Sequence, residues 1–213
     1  MKIELNYWMR LYQVIALVSV LTSCTRSVNS GKGPLEPEAA LSAFEIEPGY
    51  KIELVASEPL VSDPVDMEID EYGRLYVVEL HGYPLDLSGK GKIKLLADTN
   101  GDGRMDKSTV FAENLKMPFG IMRWKKGVLV ADAPEIIYLE DSTGDGKADI
   151  RKVMLNGFAL SNAQMNVSNP LYGLDNWIYV TSESGSTYQI YKKEFGDYKP
   201  IREGKTYNRG IEF

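Results

Sequence analysis

Asp70-Glu71-Tyr72-Gly73-Arg74-Leu75-Tyr76-Val77 is a polar turn that runs straight into an apolar strand, and the chain writes the same shape twice more. Lys125-Lys126-Gly127-Val128-Leu129-Val130 and Asp175-Asn176-Trp177-Ile178-Tyr179-Val180 repeat it, placing Leu75, Val128 and Ile178 at equivalent points 53 and 50 residues apart. A second element recurs beside the first: Asp98 and Asp141, 43 residues apart, each open an Asp- and Gly-rich loop. Recurrence at this distance marks a unit of several strands that cannot bury its faces alone and must stack on its neighbours.

Around these anchors the chain breaks into short runs rich in Val, Ile and Tyr, bounded by Gly, Asp, Asn and Pro, as half-buried strands require. Strands are expected at Lys51–Ala56, Val65–Ile69, Leu75–Leu80, Lys92–Leu96, Ser108–Phe111 and Gly120–Trp124. They continue at Val128–Ala131, Ile136–Glu140, Arg151–Leu155, Trp177–Thr181 and Tyr188–Lys192. The fold class is all-β. About four strands per repeat of 40 to 50 residues is the pattern of a β-propeller. Residues 50–213 hold about three such four-stranded blades, whereas propellers close with roughly four to eight. The expected architecture is therefore an incomplete β-propeller, the N-terminal part of a larger, six- or seven-bladed one, with an open three-repeat array as the alternative. The last residues, Arg209-Gly210-Ile211-Glu212-Phe213, read as the start of a further strand.

Upstream the composition changes. Lys2 and Arg10 precede a mainly apolar Leu11–Leu21 run and then Thr22-Ser23-Cys24, which contains the only cysteine. The run is shorter than the roughly 20 apolar residues that span a bilayer, and its flanks are those of a secretory signal. The pattern resembles a bacterial lipobox, with residues 1–23 removed and Cys24 lipidated. This implies an exported lipoprotein tethered to a membrane of the bacterial cell envelope. Residues 24–37, polar and punctuated by Ser, Gly and Pro, read as a flexible tether. Residues 38–49 form a lead-in, with a short helix expected over Glu38–Phe44. Loss of residues 1–23 takes basic residues from 24 to 22 and acidic from 30 to 29, so the net charge moves from −6 to −7. That balance argues against nucleic acid as a partner. One cysteine cannot supply the Cys-x-x-Cys-His of a covalent haem.

Asp98-Thr99-Asn100-Gly101-Asp102-Gly103-Arg104-Met105-Asp106 places side-chain oxygens at positions 1, 3, 5 and 9 with Gly at 6, and a backbone carbonyl at Arg104. Ca²⁺ takes six to eight oxygen ligands, and a tight loop with alternating acidic residues can converge them. Position 12 is Thr109 and the flanks are strands, so the loop is not an EF-hand. Asp141, Thr143, Asp145, Lys147 and Asp149 repeat the scheme with fewer charges. The expected role of both loops is structural Ca²⁺ binding; an Asp-Gly hairpin turn without an ion is the alternative. His81, the only imidazole, follows an apolar strand and is the one candidate for a general base, with no partner evident in the sequence. Trp177 and Tyr179 read as packing residues rather than sugar-stacking ones.

Several stretches, namely Leu54-Val55-Ala56-Ser57-Glu58-Pro59-Leu60, Asp70–Glu79, Gly82-Tyr83-Pro84-Leu85-Asp86, both Asp-rich loops and Tyr172–Tyr179, resemble the planctomycete-type membrane-bound dehydrogenases. The resemblance covers about residues 41–213. It implies a propeller similar to glucose- and sorbosone-type quinoprotein dehydrogenases, acting on a sugar or alcohol through a quinone such as PQQ. It also implies electron transfer to a cytochrome c domain downstream or on a partner. Relatives of this type carry a basic residue and an imidazole near Gln164–Pro170, where this chain has Asn166 and Asn169. The alternative function is a non-catalytic, Ca²⁺-stabilised module that binds glycan or protein at the cell surface.

Overall fold

A computed structural model describes residues 33–84, 86–160 and 162–182, and the backbone of 186–194, 197–200 and 206–207. The signal segment, Cys24 and most of the tether lie outside the described residues. Among those described, no helix is long and apolar enough to cross a membrane. The chain divides into two units, Met1–Ile52 and Glu53–Phe213. In the described part of the first, helix α1 spans Pro37–Leu41, shorter than expected. Pro37 suits a first helical turn, where its missing N–H costs nothing. The Ser42 hydroxyl donates to the Ala39 carbonyl (2.7 Å) just past the last helical residue.

The second unit is all-β. Its strands are β1 (Pro64–Ile69), β2 (Leu75–Glu79), β3 (Gly91–Ala97), β4 (Lys107–Leu115), β5 (Pro118–Trp124), β6 (Gly127–Asp132) and β7 (Glu135–Glu140). They continue with β8 (Ile150–Asn156), β9 (Ser168–Tyr172), β10 (Trp177–Ser182), β11 (Ser186–Glu194), β12 (Asp197–Pro200) and β13 (Thr206–Tyr207). Within each sheet every strand pairs antiparallel with the next in sequence, giving β1–β4, β5–β8 and β9–β12, with β13 beside β11. Leu75, Val128 and Ile178 all fall on the second strand of their sheets, just past the first hairpin turn.

Two expectations from the sequence differ. Lys51–Ala56 forms no strand. Its Val55 carbonyl accepts one bond from the Met105 N–H (2.8 Å), and Ala56 packs beside Leu75, Val77 and Leu96; no ladder partner is there to make it a strand. Conversely β9, β12 and β13 were not expected. Ser168-Asn169-Pro170 is poor strand sequence, and pairing with β10 imposes the conformation that local propensity does not.

Alternation along the strands decides which sheet meets which. Tyr76, Val78, Ile93, Leu95, Phe111 and Leu115 on one face of the first sheet bury against Ile121, Val128, Val130, Ile137 and Leu139 of the second. The opposite face of the second sheet offers Met122, Trp124, Leu129, Ala131, Ile136 and Tyr138 to Ile178 and Val180 of the third. The middle sheet is therefore covered on both faces, which is why β6 reads as a continuous apolar run rather than an alternating one. Each fully buried aliphatic residue here contributes about 1.5–3 kcal/mol.

Candidate functional site

Strand register sorts the loops into two ends. Pro64 pairs with Glu79 and Pro118 with Asp132, so the entries of β1 and β5 share an end with the exits of β2 and β6. The same end holds the connections 80–90, 116–117 and 133–134. The opposite end holds the first hairpin turns and both Asp-rich loops, which join β3 to β4 and β7 to β8.

The first end gathers His81. Its Nδ1 lies 3.0 Å from Asp63 Oδ2 and its Nε2 lies 3.1 Å from Glu79 Oε2. Glu79 is buried at the end of β2, and its other oxygen accepts the Ser62 N–H at 2.8 Å. Asp63 adopts φ 47°, a left-handed conformation that Asp tolerates better than most residues, and its carbonyl accepts the Leu80 N–H (3.1 Å). The next residue, Gly82, has no room for a side chain: a Cβ would stand 2.3 Å from the Asp86 carbonyl oxygen. The imidazole thus sits between a buried carboxylate and one whose side chain is 68% exposed. Both ring nitrogens thus lie within hydrogen-bond distance of carboxylate oxygens. The group that this arrangement presents to solvent is Asp63.

Neither Asp63 nor Glu79 was singled out in the sequence. Glu79 gave one weak signal, a charge terminating an apolar strand that is buried along its length. Asp63 gave none, because its partner lies 18 residues away.

Asp132 occupies in the second sheet the position Glu79 holds in the first. Its Oδ1 accepts the Met117 N–H (2.7 Å), just before β5, as Glu79 accepts Ser62 just before β1. Burial pushes its carboxyl up to about 6, against the opposing pull of the Met117 N–H and of Arg151, whose Nη2 lies 3.7 Å away. Each second strand so far ends in a buried carboxylate that fixes the chain's entry into the sheet. Ser182 ends β10 at the corresponding place, also buried.

The remaining polar residues at this end brace it. Gln164 Nε2 donates to the Tyr83 hydroxyl (3.2 Å) across 81 residues. With its amide nitrogen facing the carbonyls of Ala159 and Asn162, Asn166 donates to both at 3.2 and 3.1 Å, so it is a buried structural amide. Asn169 (φ 49°) passes so close to Gly120 that a Cβ there would lie 2.5 Å from its backbone nitrogen.

At the other end, Asp98 Oδ1 accepts from Gly101 N (2.6 Å) and Asn100 N (3.2 Å), and Oδ2 from Gly103 N (2.8 Å). The Gly103 and Gly101 N–H groups hold its carboxyl below the usual range. Asn100 accepts the Asp102 N–H, Asp102 accepts the Arg104 N–H, and Asp106 takes both the backbone and hydroxyl protons of Thr99. The second loop copies this. Asp141 accepts from Gly144 N (2.7 Å) and Gly146 N (2.8 Å), and Thr143 adds its own backbone N–H (3.2 Å). Asp145 accepts the Lys147 N–H, and Asp149 takes both protons of Ser142. The donor chemistry suits a hard cation. Among the described residues, however, no three His, Cys, Asp or Glu side chains are grouped to hold a metal. What the geometry shows is two Asx-turn hairpins stabilised by their own carboxylates.

Trp177 and Tyr179 lie on β10, where the Tyr179 hydroxyl donates to Asp175 Oδ2 (2.7 Å). No curated protein matches the chain. A family model does match residues 36–206, from the start of α1 into β13, and the chain accordingly belongs to the family described as Domain of unknown function (DUF7133).

Proposed function

We propose that the three sheets are consecutive blades of a β-propeller, in an exported, lipid-anchored, dehydrogenase-like protein whose His81 end receives the hydroxyl groups of a sugar or alcohol. The meander order of each sheet and the packing of β5 against both β1 and β9 support the blade reading. The observation that carries the functional reading is the clamped imidazole: Glu79 and His81 hold Asp63 in one orientation while leaving it exposed. A preoriented carboxylate accepts a hydroxyl proton at little ordering cost, which is how polyols are recognised.

The resemblance implies a quinone, but the cations at this end are largely engaged by its carboxylates: Lys90 pairs with Asp86 at 2.6 Å, Arg151 lies 3.7 Å from Asp132, and His81 lies between Asp63 and Glu79. The described residues therefore supply hydroxyl recognition, and no redox step is assigned to them. Fold analogy does not add one.

Isothermal titration of the chain against a panel of monosaccharides, oligosaccharides and alcohols tests this. Millimolar or tighter binding is expected, weakened at least about tenfold in Asp63→Asn. Equal binding by Asp63→Asn, or no binding across the panel, would sink the reading.

A further inference from the structure

We propose that Tyr83 is the apolar platform of the Asp63 site and makes it selective for cyclic sugars over open-chain alcohols. The inference rests on the reading of Asp63 as the acceptor of ligand hydroxyls, and it adds the second surface that a sugar ring needs.

A pyranose carries its hydroxyls around the rim and C–H groups on its faces. An oriented carboxylate answers the rim alone; the face calls for an aromatic side chain, whose apolar body and polar tip suit a wet site. Tyr83 is 51% exposed. Phe119 and Phe158 lie at the same end but are partly buried against the core that joins the second and third sheets. Tyr83 follows His81 by two residues, so their Cα atoms are at most about 8 Å apart. The His81 ring in turn lies 3.0 Å from the Asp63 carboxylate. A carboxylate and an aromatic side chain this close in the fold can meet the rim and the face of one sugar ring.

The loop that carries Tyr83 is held in place. The Leu80 N–H donates to the Asp63 carbonyl (3.1 Å), and the Asp86 N–H donates to the Gly82 carbonyl (2.8 Å). At the far end of the side chain, Gln164 Nε2 donates to the Tyr83 hydroxyl (3.2 Å) from the short helical turn ahead of β9. The tyrosine is therefore tethered at its backbone and at its hydroxyl while half of it stays in solvent. Packing alone does not explain that arrangement, and water would satisfy the hydroxyl without Gln164. A side chain fixed in this way loses little freedom when a ligand stacks on it. An open-chain alditol offers similar hydroxyls but no flat C–H face, and binding freezes several of its single bonds.

Isothermal titration of the chain with the methyl pyranosides of glucose, galactose and mannose, and with the hexitols of the same configuration, reads the selectivity. The pyranosides are expected to bind at least about tenfold more tightly than the hexitols. Tyr83→Ala is expected to abolish that difference. Tyr83→Phe, which keeps the ring and loses the Gln164 bond, is expected to retain it. Asp63→Asn is expected to weaken both classes alike, because it acts on hydroxyls that both possess. Circular dichroism checks that each variant keeps its β spectrum. Hexitols that bind as tightly as pyranosides, or a preference that survives Tyr83→Ala, overturn the proposal; the Asp63 reading then stands if Asp63→Asn still weakens binding. Equal losses in Tyr83→Phe and Tyr83→Ala also overturn it, since the hydroxyl rather than the ring would carry the effect. No binding by either class overturns it too, and the wider panel then decides the Asp63 reading alone.

Discussion

The two ends of the same strands hold their carboxylates in opposite ways. At the Asp-rich end, Asp106 and Asp149 are exposed and Asp98 and Asp141 half-buried, and their hydrogen-bond partners lie within seven residues of them in sequence. At the His81 end, Glu79 and Asp132 are buried, and each accepts a backbone N–H from 15 to 17 residues upstream, just before its sheet begins. The first arrangement shapes a hairpin and would do so in any β protein. The second ties each sheet to the segment that enters it, so loss of one carboxylate is felt across the joint. What the contrast teaches is that charge count does not locate the buried carboxylates: the end with more acidic residues is the one whose carboxylates bond only to their own loops.

The sharpest way to break this comparison is to delete one carboxylate from each end. Glu79→Ala leaves the Ser62 N–H and the His81 ring without their buried acceptor, and a loss of about 3–5 kcal/mol in urea unfolding is expected. Asp98→Ala removes only a carboxylate that caps its own hairpin turn and is expected to cost much less. Equal losses would show that burial is not what separates the ends.

Asp132 gives a signature in pH. Its folded-state value of about 6 lies above the ordinary 3.8, so the folded protein binds the proton more tightly than the unfolded chain. Its contribution therefore favours the fold increasingly as pH falls through 6, by up to about 3 kcal/mol, and levels off below the unfolded value. Asp98 and Asp149 are held low, the first by Gly103 N–H and the second by the Ser142 hydroxyl; they work in the other direction and lose stabilisation as pH falls. Denaturation curves of wild type and Asp132→Asn from pH 7.5 to 4.5 separate the two. The variant is expected to be more stable near pH 7.5, and the gap is expected to close as pH falls. A constant gap would remove the burial argument.

Smaller effects sharpen the picture of the loops. Gly101 adopts φ 80° with open space around it, so Gly101→Ala meets backbone strain alone and is expected to cost about 1–2 kcal/mol. Ca²⁺ would have to share oxygens that already accept N–H bonds. A stabilisation of only about 1 kcal/mol at millimolar Ca²⁺ is expected, lost in Asp98→Asn, by differential scanning calorimetry with and without chelator. A larger shift at micromolar Ca²⁺ would mean that the loops rearrange around the ion.

Short-range features were legible because their causes are short-range. The polar turn of Asp70–Gly73, with the Asp70 carboxylate accepting from Tyr72 and Arg74, needs nothing beyond five residues, and the strands after it follow from alternation. The Asp98 loop was legible as a hairpin for the same reason. Lys51–Ala56 misled because an apolar alternating run becomes a strand only when another strand supplies the ladder. Ser168–Tyr172 was missed for the converse reason. His81 was visible as a lone imidazole but not as a clamped one.

The sequence by itself determined the all-β class and the place of the hairpins in the first two sheets, since turn chemistry and period-two alternation act within a few residues. Only the tertiary structure decided which faces meet, that Asn166 and Asn169 serve the backbone, and that Asp63, not His81, is the group turned to solvent. The Asp63–His81 contact and the approach of Asn169 to Gly120 join residues far apart in the chain, whose pairing no local pattern encodes.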